Sequence, residues 1–337
     1  LSGWIYVSFF SWWQMPLLFF ISGMSTYYGL TRKTNLSFVK ERVYRLLVPL
    51  LFFMVFLFQP LAYFFPSGLS ERSLSHYFLE FWPYSLQRLY LSDYTGGPRW
   101  AHMWFVAYLL IYSIVLLPIF RRYTPKVTEI HSTKKQTKVN QLGKIIIPAI
   151  PFIAIFFLLE PLYPGHRNNL YSDWSYFSYN LYAYILGYYI GPFLNFKELL
   201  HRFKPYLIIL AIGLSMIIAY LKFFTENFDN LAYSFSFLGY AILYGLNTWL
   251  WFIVIIGLSS KFLNFSNKLL RYLNRASYPI YIIHFVVMVI AGHFITKMSF
   301  LPVFEFIMLI VLSFPATFIC YELIKRWSLT RILFGIK

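Results

Sequence analysis

Long apolar runs recur along almost the whole chain and are separated by short polar segments. Each run holds about 20 apolar residues, which is enough for an α-helix to cross a hydrocarbon layer of about 30 Å. The pattern therefore predicts an all-α, polytopic membrane helix bundle with nine visible transmembrane helices. We place these helices at residues 4–31, 43–65, 101–120, 145–163, 175–195, 207–224, 231–258, 278–296 and 303–324.

The basic residues between these runs alternate between two sets of connecting segments. Of the 29 Lys and Arg residues, 23 lie in the first set, 5 lie in the second, and Lys222 lies near a helix end. The first set comprises 32–45, 121–144, 196–206, 261–275 and 325–337, and the second comprises 66–100, 164–174, 225–230 and 297–302. Because cytoplasmic loops carry an excess of Lys and Arg, the first set is predicted to be cytoplasmic.

This topology places residue 1 outside the membrane and the C-terminus inside. One more helix before residue 1 would place the natural N-terminus inside and bring the total to ten. We therefore expect one integral membrane domain over residues 1–337 that lacks its first helix. A fragment of that kind is expected to have impaired activity.

Composition supports the membrane assignment and limits the other classes. The chain is 59% hydrophobic, 23% aromatic and only 12% charged, whereas soluble domains carry about 25% charged residues. The net charge of +17 follows from the loop asymmetry, so no nucleic-acid partner is expected. Cys320 is the single cysteine and cannot form an internal disulfide.

Two segments outside the apolar runs have patterns of their own. Residues 74–82 have apolar positions at helical spacing, which favours either a short helix in the outer interface that roofs a cavity or a lipid-facing connector. Residues 121–144 are polar and predict a flexible cytoplasmic loop. Aromatic side chains at the outer ends of the helices could stack against sugar rings; they are Trp82, Tyr94, Trp100 and Trp104.

Among the seven histidines, two lie where a polar side chain requires an explanation. His284 lies about 10 Å into its predicted span, a depth at which ionisable groups often mark a functional path. A neutral histidine that bonds a neighbouring helix is an equal alternative. His102 lies at the outer mouth of the third span, where a substrate-facing role and an interfacial anchor are both open. Glu322 is expected to pair with Lys325 or Arg326.

No group of His, Cys and carboxylate residues has the spacing of a metal site, and no Gly-rich loop resembles a phosphate-binding motif. We therefore expect neither a metal nor a bound cofactor. Arg42 and Arg45 begin the second span and are three positions apart, so both could hold an anionic phosphate donor on one helix face. Snorkelling arginines that anchor the helix are the alternative.

Four motifs resemble those of the acyltransferase 3 family of integral membrane acyltransferases. They are residues 14–23 (QMPLLFFISG), 42–49 (RVYRLLVP), 102–106 (HMWFV) and 276–284 (ASYPIYIIH). The motifs occur in the family order and cover most of the chain. The resemblance is greatest to the branch that contains the succinyltransferases of periplasmic glucans.

The resemblance implies transfer of an acyl group from cytoplasmic acyl-CoA to a hydroxyl of an extracytoplasmic glycan or related acceptor, in the bacterial cytoplasmic membrane. It implies donor binding by Arg42 and Arg45. It also implies a general base in the first helix, before residue 1, so His102 and His284 are expected to have supporting catalytic roles.

Three other functions remain open from the sequence. A transporter or flippase for a lipid-linked sugar could use a similar cavity without a base. Another kind of polytopic O-acyltransferase would use His284 as its base. A noncatalytic membrane scaffold is disfavoured because polar side chains lie within the apolar runs.

Overall fold

The computed structural model describes residues 2–61, 100–124, 143–164, 169–170, 172–224 and 232–336. The predictions for the outer segment 66–99, which includes Trp82 and Tyr94, lie outside these residues. So do residues 125–142 of the loop predicted over 121–144, whose first two residues, Arg121 and Arg122, are helical in the structure. Across the described ranges the regular structure is helical, without a strand, which confirms the all-α expectation there.

Thirteen α-helices are numbered here along the described part of the chain. They are α1 (Ser2–Leu30), α2 (Asn35–Arg42), α3 (Val48–Phe52), α4 (Phe58–Leu61), α5 (Trp104–Val115), α6 (Leu117–Arg122), α7 (Ala149–Leu159), α8 (Trp174–Tyr189), α9 (Phe196–Phe224), α10 (Phe235–Phe262), α11 (Lys268–Thr296), α12 (Pro302–Ile324) and α13 (Ser328–Leu333).

Four helices in the described ranges are long and apolar enough to cross a membrane. They are Pro205–Lys222 within α9, and α10, α11 and α12. Ala101–Val115 and Gly143–Leu159 are apolar but shorter. The count of nine membrane-spanning helices stays a prediction.

The chain divides into two compact units, and the single-domain expectation over residues 1–337 also stays a prediction. The first unit comprises Leu1–Asn35 and Val115–Phe265. In this unit α1 packs along α8, and α10 packs against both α7 and α9. Its core is aromatic: Trp13 stacks on Trp251 with ring centroids 4.7 Å apart.

Several buried polar groups of the first unit pair with one another between helices. The Tyr179 hydroxyl donates to Thr248 Oγ1 at 2.8 Å, and Ser215 Oγ donates to Asn247 Oδ1 at 3.0 Å. Such pairs provide the hydrogen bonds that lipid chains cannot offer to buried polar side chains. They therefore fix the helices relative to one another.

The second unit comprises Leu36–Ile114 and Ser266–Lys337. Helices α11 and α12 form a hairpin, and the short α13 packs against α3. Asn267 caps α11, because its side-chain oxygen accepts from the Leu270 N–H at 2.7 Å. Pro302 occupies the first position of α12. The N–H groups of the first helical turn have no acceptor within the helix, so the missing N–H of proline costs no hydrogen bond there.

Two π-helical segments interrupt the helical stretch from α2 to α4. They are Val43–Leu47 and Phe53–Leu57. A π-helical turn closes through i→i+5 bonds and therefore holds more residues than an α-helical turn. Phe38 and Leu46 are both buried although they lie eight positions apart, a spacing that would separate them by about 80° around a regular α-helix. The extra residue of the π segment returns both to one face.

Candidate functional site

His102 lies in a 3-10 turn, Ala101–Met103, that precedes α5. Ala101 has a φ of 44°, a left-handed conformation that non-glycine residues rarely adopt. The His102 ring stacks on Phe285 at a centroid distance of 4.7 Å and meets the edge of Phe53 at 4.8 Å. The turn and these two aromatic rings together fix the orientation of the imidazole.

His102 and Tyr281 form a reciprocal pair. His102 Nε2 lies 3.0 Å from the Tyr281 carbonyl oxygen, and the Tyr281 hydroxyl donates to the His102 carbonyl oxygen. A carbonyl only accepts, so Nε2 carries the proton in this bond. His102 Nδ1 is then the lone-pair nitrogen, and it is buried without a hydrogen-bond partner in the described part of the chain.

His284 lies beside His102 at a ring-centroid distance of 5.1 Å, and we call these two residues the histidine pair. His284 Nδ1 lies 3.2 Å from the carbonyl oxygen of Ile280, one turn earlier in α11. The same reasoning makes its Nε2 the lone-pair nitrogen. Two imidazoles with a lone pair each can accept a proton from a hydroxyl, which is the chemistry of a general base.

Helix α11 is longer than its predicted span. It begins at Lys268, sixteen residues before His284, or about 24 Å along the axis. The predicted span began only at residue 278. His284 therefore lies well inside one continuous helix, where its ring contacts that of His102.

A cavity of about 690 Å³ lies at one end of the second unit. The distribution of basic residues predicts that this end faces the cytoplasm. Four of its lining residues are cationic: Arg45, Arg275, Lys325 and Arg331. We call it the cationic cavity. Lys325 bonds Glu322 at 2.5 Å, and Arg45 lies 3.7 Å from Glu41. The predicted pairing of Glu322 with Lys325 is thus confirmed.

The Tyr278 hydroxyl also belongs to the cationic cavity. It is buried and has no hydrogen-bond partner within the described ranges. A buried hydroxyl without a partner costs free energy, and it can donate to an anion that enters the cavity. Three cations from separate helical segments, Lys325 after the end of α12 and one hydroxyl therefore suit a ligand with several phosphate groups.

Gly335 closes one side of this cavity. Its φ is +65°, and a Cβ at this position would lie 2.7 Å from Tyr278 Cε1 and 3.1 Å from the Arg45 carbonyl oxygen. Only glycine combines this backbone conformation with so close an approach. The residues after α13 thus lie directly against the backbone of Arg45.

Arg42 and Arg45 do not share the cationic cavity. Arg45 is among the lining residues, whereas the Arg42 guanidinium lies over the Phe38 ring at 4.8 Å. The cause is the π segment that contains Arg45. Residues three positions apart diverge in its wider turn, so Arg45 comes beside Glu41 instead.

A second cavity, of about 270 Å³, lies between α11 and α12 in the same unit. Along α11 it extends from Ile280 to Met288, and along α12 it extends from Phe306 to Phe318. Among the described residues that line it, His284, Ser313 and Thr317 are the polar ones, and none is charged. We call it the apolar cavity.

A family model described as an acyltransferase domain, acyltransferase 3, matches residues 1–322. The chain belongs to the acyltransferase 3 family. This membership supports membrane acyltransferase activity and agrees with the four apolar helices long enough to span a bilayer. No curated protein and no solved structure matches the chain.

In this acyltransferase, sequence reasoning identified the histidine pair and Arg45 but not their neighbours. Arg275 and Arg331 were counted only as topological charges, although Arg275 directly precedes the 276–284 motif. Lys325 was predicted only as a partner of Glu322. Tyr278 and Tyr281 lie inside that motif, so the motif was the available signal for both. Nothing in the sequence pattern indicated that residues after α13 reach Arg45. The expected helix before residue 1 stays a prediction.

Proposed function

We propose that this acyltransferase transfers an acyl group from cytoplasmic acyl-CoA to a hydroxyl of an extracytoplasmic glycan or related acceptor. The observation that carries the proposal is the cationic cavity in a chain of an acyltransferase family. Coenzyme A carries several phosphate charges, and guanidinium groups bind phosphate oxygens with two parallel hydrogen bonds. The cavity belongs to the predicted cytoplasmic end, where acyl-CoA is available.

The histidine pair is proposed to support the reaction from the interior of the second unit. His102 is held by Tyr281 and Phe285, so its Nδ1 is presented in a fixed direction. An imidazole that orients the acceptor hydroxyl or a neighbouring base would assist proton removal. The resemblance of the four motifs supports a glycan acceptor, by similarity to the glucan succinyltransferase branch in the bacterial cytoplasmic membrane.

The donor half of the proposal is tested by CoA release from acyl-CoA in nanodiscs, with oligosaccharide acceptors. Arg45→Ala is expected to raise the donor KM about 10–150-fold, because a charge-assisted contact contributes about 1.5–3 kcal/mol. Arg271→Ala is the matched control, since Arg271 is exposed at the same end of α11 and does not line the cavity. Equal donor KM values in the two variants would show that Arg45 does not bind the donor.

The role of the histidine pair is tested by His102→Gln and His284→Gln, each followed across pH. Loss of a general base lowers the rate about 10²–10⁴-fold and removes the limb of the kcat/KM profile that reports its deprotonation. A supporting histidine leaves that limb in place with a smaller loss. A profile that becomes flat in His284→Gln would instead make His284 the base.

A transporter or flippase is the competing function, and acyl-CoA consumption separates the two. Acceptor movement across the membrane without CoA release would support transport and reject the acyltransferase reaction.

A further inference from the structure

The two cavities of the second unit follow one another along the same pair of helices. On α11 the cationic cavity is lined from Asn274 to Pro279, and the apolar cavity begins at the next residue, Ile280. At the end of α12 the cationic cavity is lined by Tyr321 and by Lys325, the residue after the helix, while the apolar cavity ends at Phe318. A ligand that fills both must therefore be anionic at one end and apolar at the other.

The apolar cavity has the shape and surface for a hydrocarbon chain. From Ile280 to Met288 it follows eight residues of α11, or about 12 Å. Most of its wall consists of aliphatic and aromatic side chains. Thr317 Oγ1 already donates to the Ser313 carbonyl oxygen at 2.7 Å, so that hydroxyl's proton is in use.

His284 lines the apolar cavity and also contacts His102. It lies six residues beyond Tyr278, which is about 9 Å along the helix axis. A chain that extends from the cationic cavity into the apolar cavity therefore passes the histidine pair before it reaches Met288.

We propose that the donor of this acyltransferase carries an apolar acyl chain of several carbons, which lies in the apolar cavity while the donor phosphates lie in the cationic cavity. This inference rests on the proposed function. It argues against a succinyl group, because none of the described residues that line the apolar cavity carries a positive charge to pair with its carboxylate. The donor thus differs from that of the succinyltransferase branch, although the acceptor class can be the same.

The test measures binding of CoA, acetyl-CoA, butyryl-CoA, hexanoyl-CoA, octanoyl-CoA and succinyl-CoA to the whole chain in phosphatidylcholine nanodiscs. Labelled CoA is displaced by each compound, and binding to empty nanodiscs is subtracted. Each buried methylene is expected to raise affinity about fourfold, until the cavity is full. Succinyl-CoA is expected to bind no better than CoA.

Two variants change the apolar cavity in opposite directions. Ser313→Leu fills it and is expected to abolish the dependence on chain length, with CoA affinity unchanged. Leu309→Ala enlarges it and is expected to move the preferred acyl chain to a greater length. Val311→Phe is the matched control, because Val311 is exposed on the same helix and does not line the cavity.

The outcomes separate this inference from the function on which it rests. Equal affinity for CoA and for acyl-CoA of every chain length would overturn the acyl-chain inference and leave donor binding intact. Absence of CoA binding would reject both.

Nanodiscs that contain phosphatidylglycerol provide a further test, because a phospholipid also joins a phosphate to acyl chains. Displacement of octanoyl-CoA by that lipid would assign the two cavities to a membrane lipid and overturn the inference. Melting temperatures of the three variants confirm that each has folded.

Discussion

Tyr281 determines both the position and the tautomer of His102. Its carbonyl oxygen accepts from His102 Nε2, and its hydroxyl donates to the carbonyl oxygen of the same residue. Two bonds between one pair of residues tie α11 to the turn before α5. The lone pair on His102 Nδ1 therefore depends on the tyrosine.

Tyr281→Phe removes one of these bonds and leaves the His102 carbonyl oxygen without its donor. We expect about 1 kcal/mol of lost stability and a lower kcat with an unchanged donor KM. The measurements are thermal unfolding and steady-state kinetics in nanodiscs. Tyr206→Phe is the control, because Tyr206 is 76% exposed. A lower kcat in both variants would show that the hydroxyl of Tyr281 has no special role.

Gly335→Ala tests the closure of the cationic cavity. The left-handed backbone alone costs a residue with a Cβ about 1–2 kcal/mol, and the contacts with Tyr278 and Arg45 add to it. We expect a lower melting temperature and a raised donor KM. Gly213→Ala, where a Cβ meets nothing within 4 Å, should keep its donor KM and gain up to about 1 kcal/mol from helix propensity. An unchanged donor KM in Gly335→Ala would show that the backbone at Gly335 does not affect donor binding in the cationic cavity.

At the residue scale, the sequence motifs proposed candidate residues but gave no geometry. They placed His102 and His284 among the candidates, because both are histidines inside family-like segments. The proximity of the two rings depends on how α11 packs against the turn before α5, which the motifs do not encode. The cations of the cavity come from three separate stretches of chain, and no local pattern indicates that they converge.

Helices α1 and α8 approach so closely that their backbones are almost in contact. A Cβ on Gly23 would lie 2.1 Å from the Tyr184 carbonyl oxygen, and one on Gly187 would lie 2.0 Å from that of Phe20. Small residues allow such contacts between helices in a membrane, where close packing drives association. Nearby, Thr26 Oγ1 and the Tyr184 hydroxyl share a hydrogen bond of 2.8 Å.

Gly23→Ala is expected to force α1 away from α8 and to cost about 1–3 kcal/mol, the usual range for overpacking. The free energy of unfolding, measured by titration with a denaturing detergent, provides the test. Gly239→Ala is the matched control, because its Cβ would meet no heavy atom within 4 Å. A loss of similar size in both variants would attribute the effect to helix flexibility and not to the contact.

Helix positions were largely predictable from apolar periodicity, but irregularities within helices were not. The predicted span 303–324 agrees closely with α12, Pro302–Ile324. The π segments near Arg45 have no recognised sequence pattern. The sequence paired Arg42 with Arg45 as neighbours on a regular α-helix, whereas Arg45 lines the cationic cavity and Arg42 lies over the Phe38 ring.

At the scale of the whole molecule, the distribution of basic residues predicts one orientation in the membrane, because all connecting segments between the helices must fit the same topology. The predicted orientation places the short connection between α11 and α12 outside. It places the residues after α12 in the cytoplasm, together with the cationic cavity. The grouping into two units, in contrast, depends on contacts between remote parts of the chain and could not be predicted from composition.

Cysteine labelling tests this orientation. Ser299→Cys and Ser328→Cys, each in a Cys320→Ala background, place a thiol at either end of α12. An impermeant maleimide added to intact cells should label position 299 and should reach position 328 only after lysis. Labelling of both before lysis would contradict the 23-to-5 division of basic residues as a guide to topology.

The π segment at Val43–Leu47 implies that this stretch of chain can lose one residue without rearranging the buried face on either side of it. Removal of the exposed Tyr44 would allow the segment to close as a regular α-helix. Phe38 and Leu46 would then be seven positions apart, which is about 20° around the helix axis, so both would stay on one face. Arg42 and Arg45 would be two positions apart and would point in nearly opposite directions. A deletion at this turn is therefore a change by which related chains could alter the relation between these two arginines while they retain the buried face.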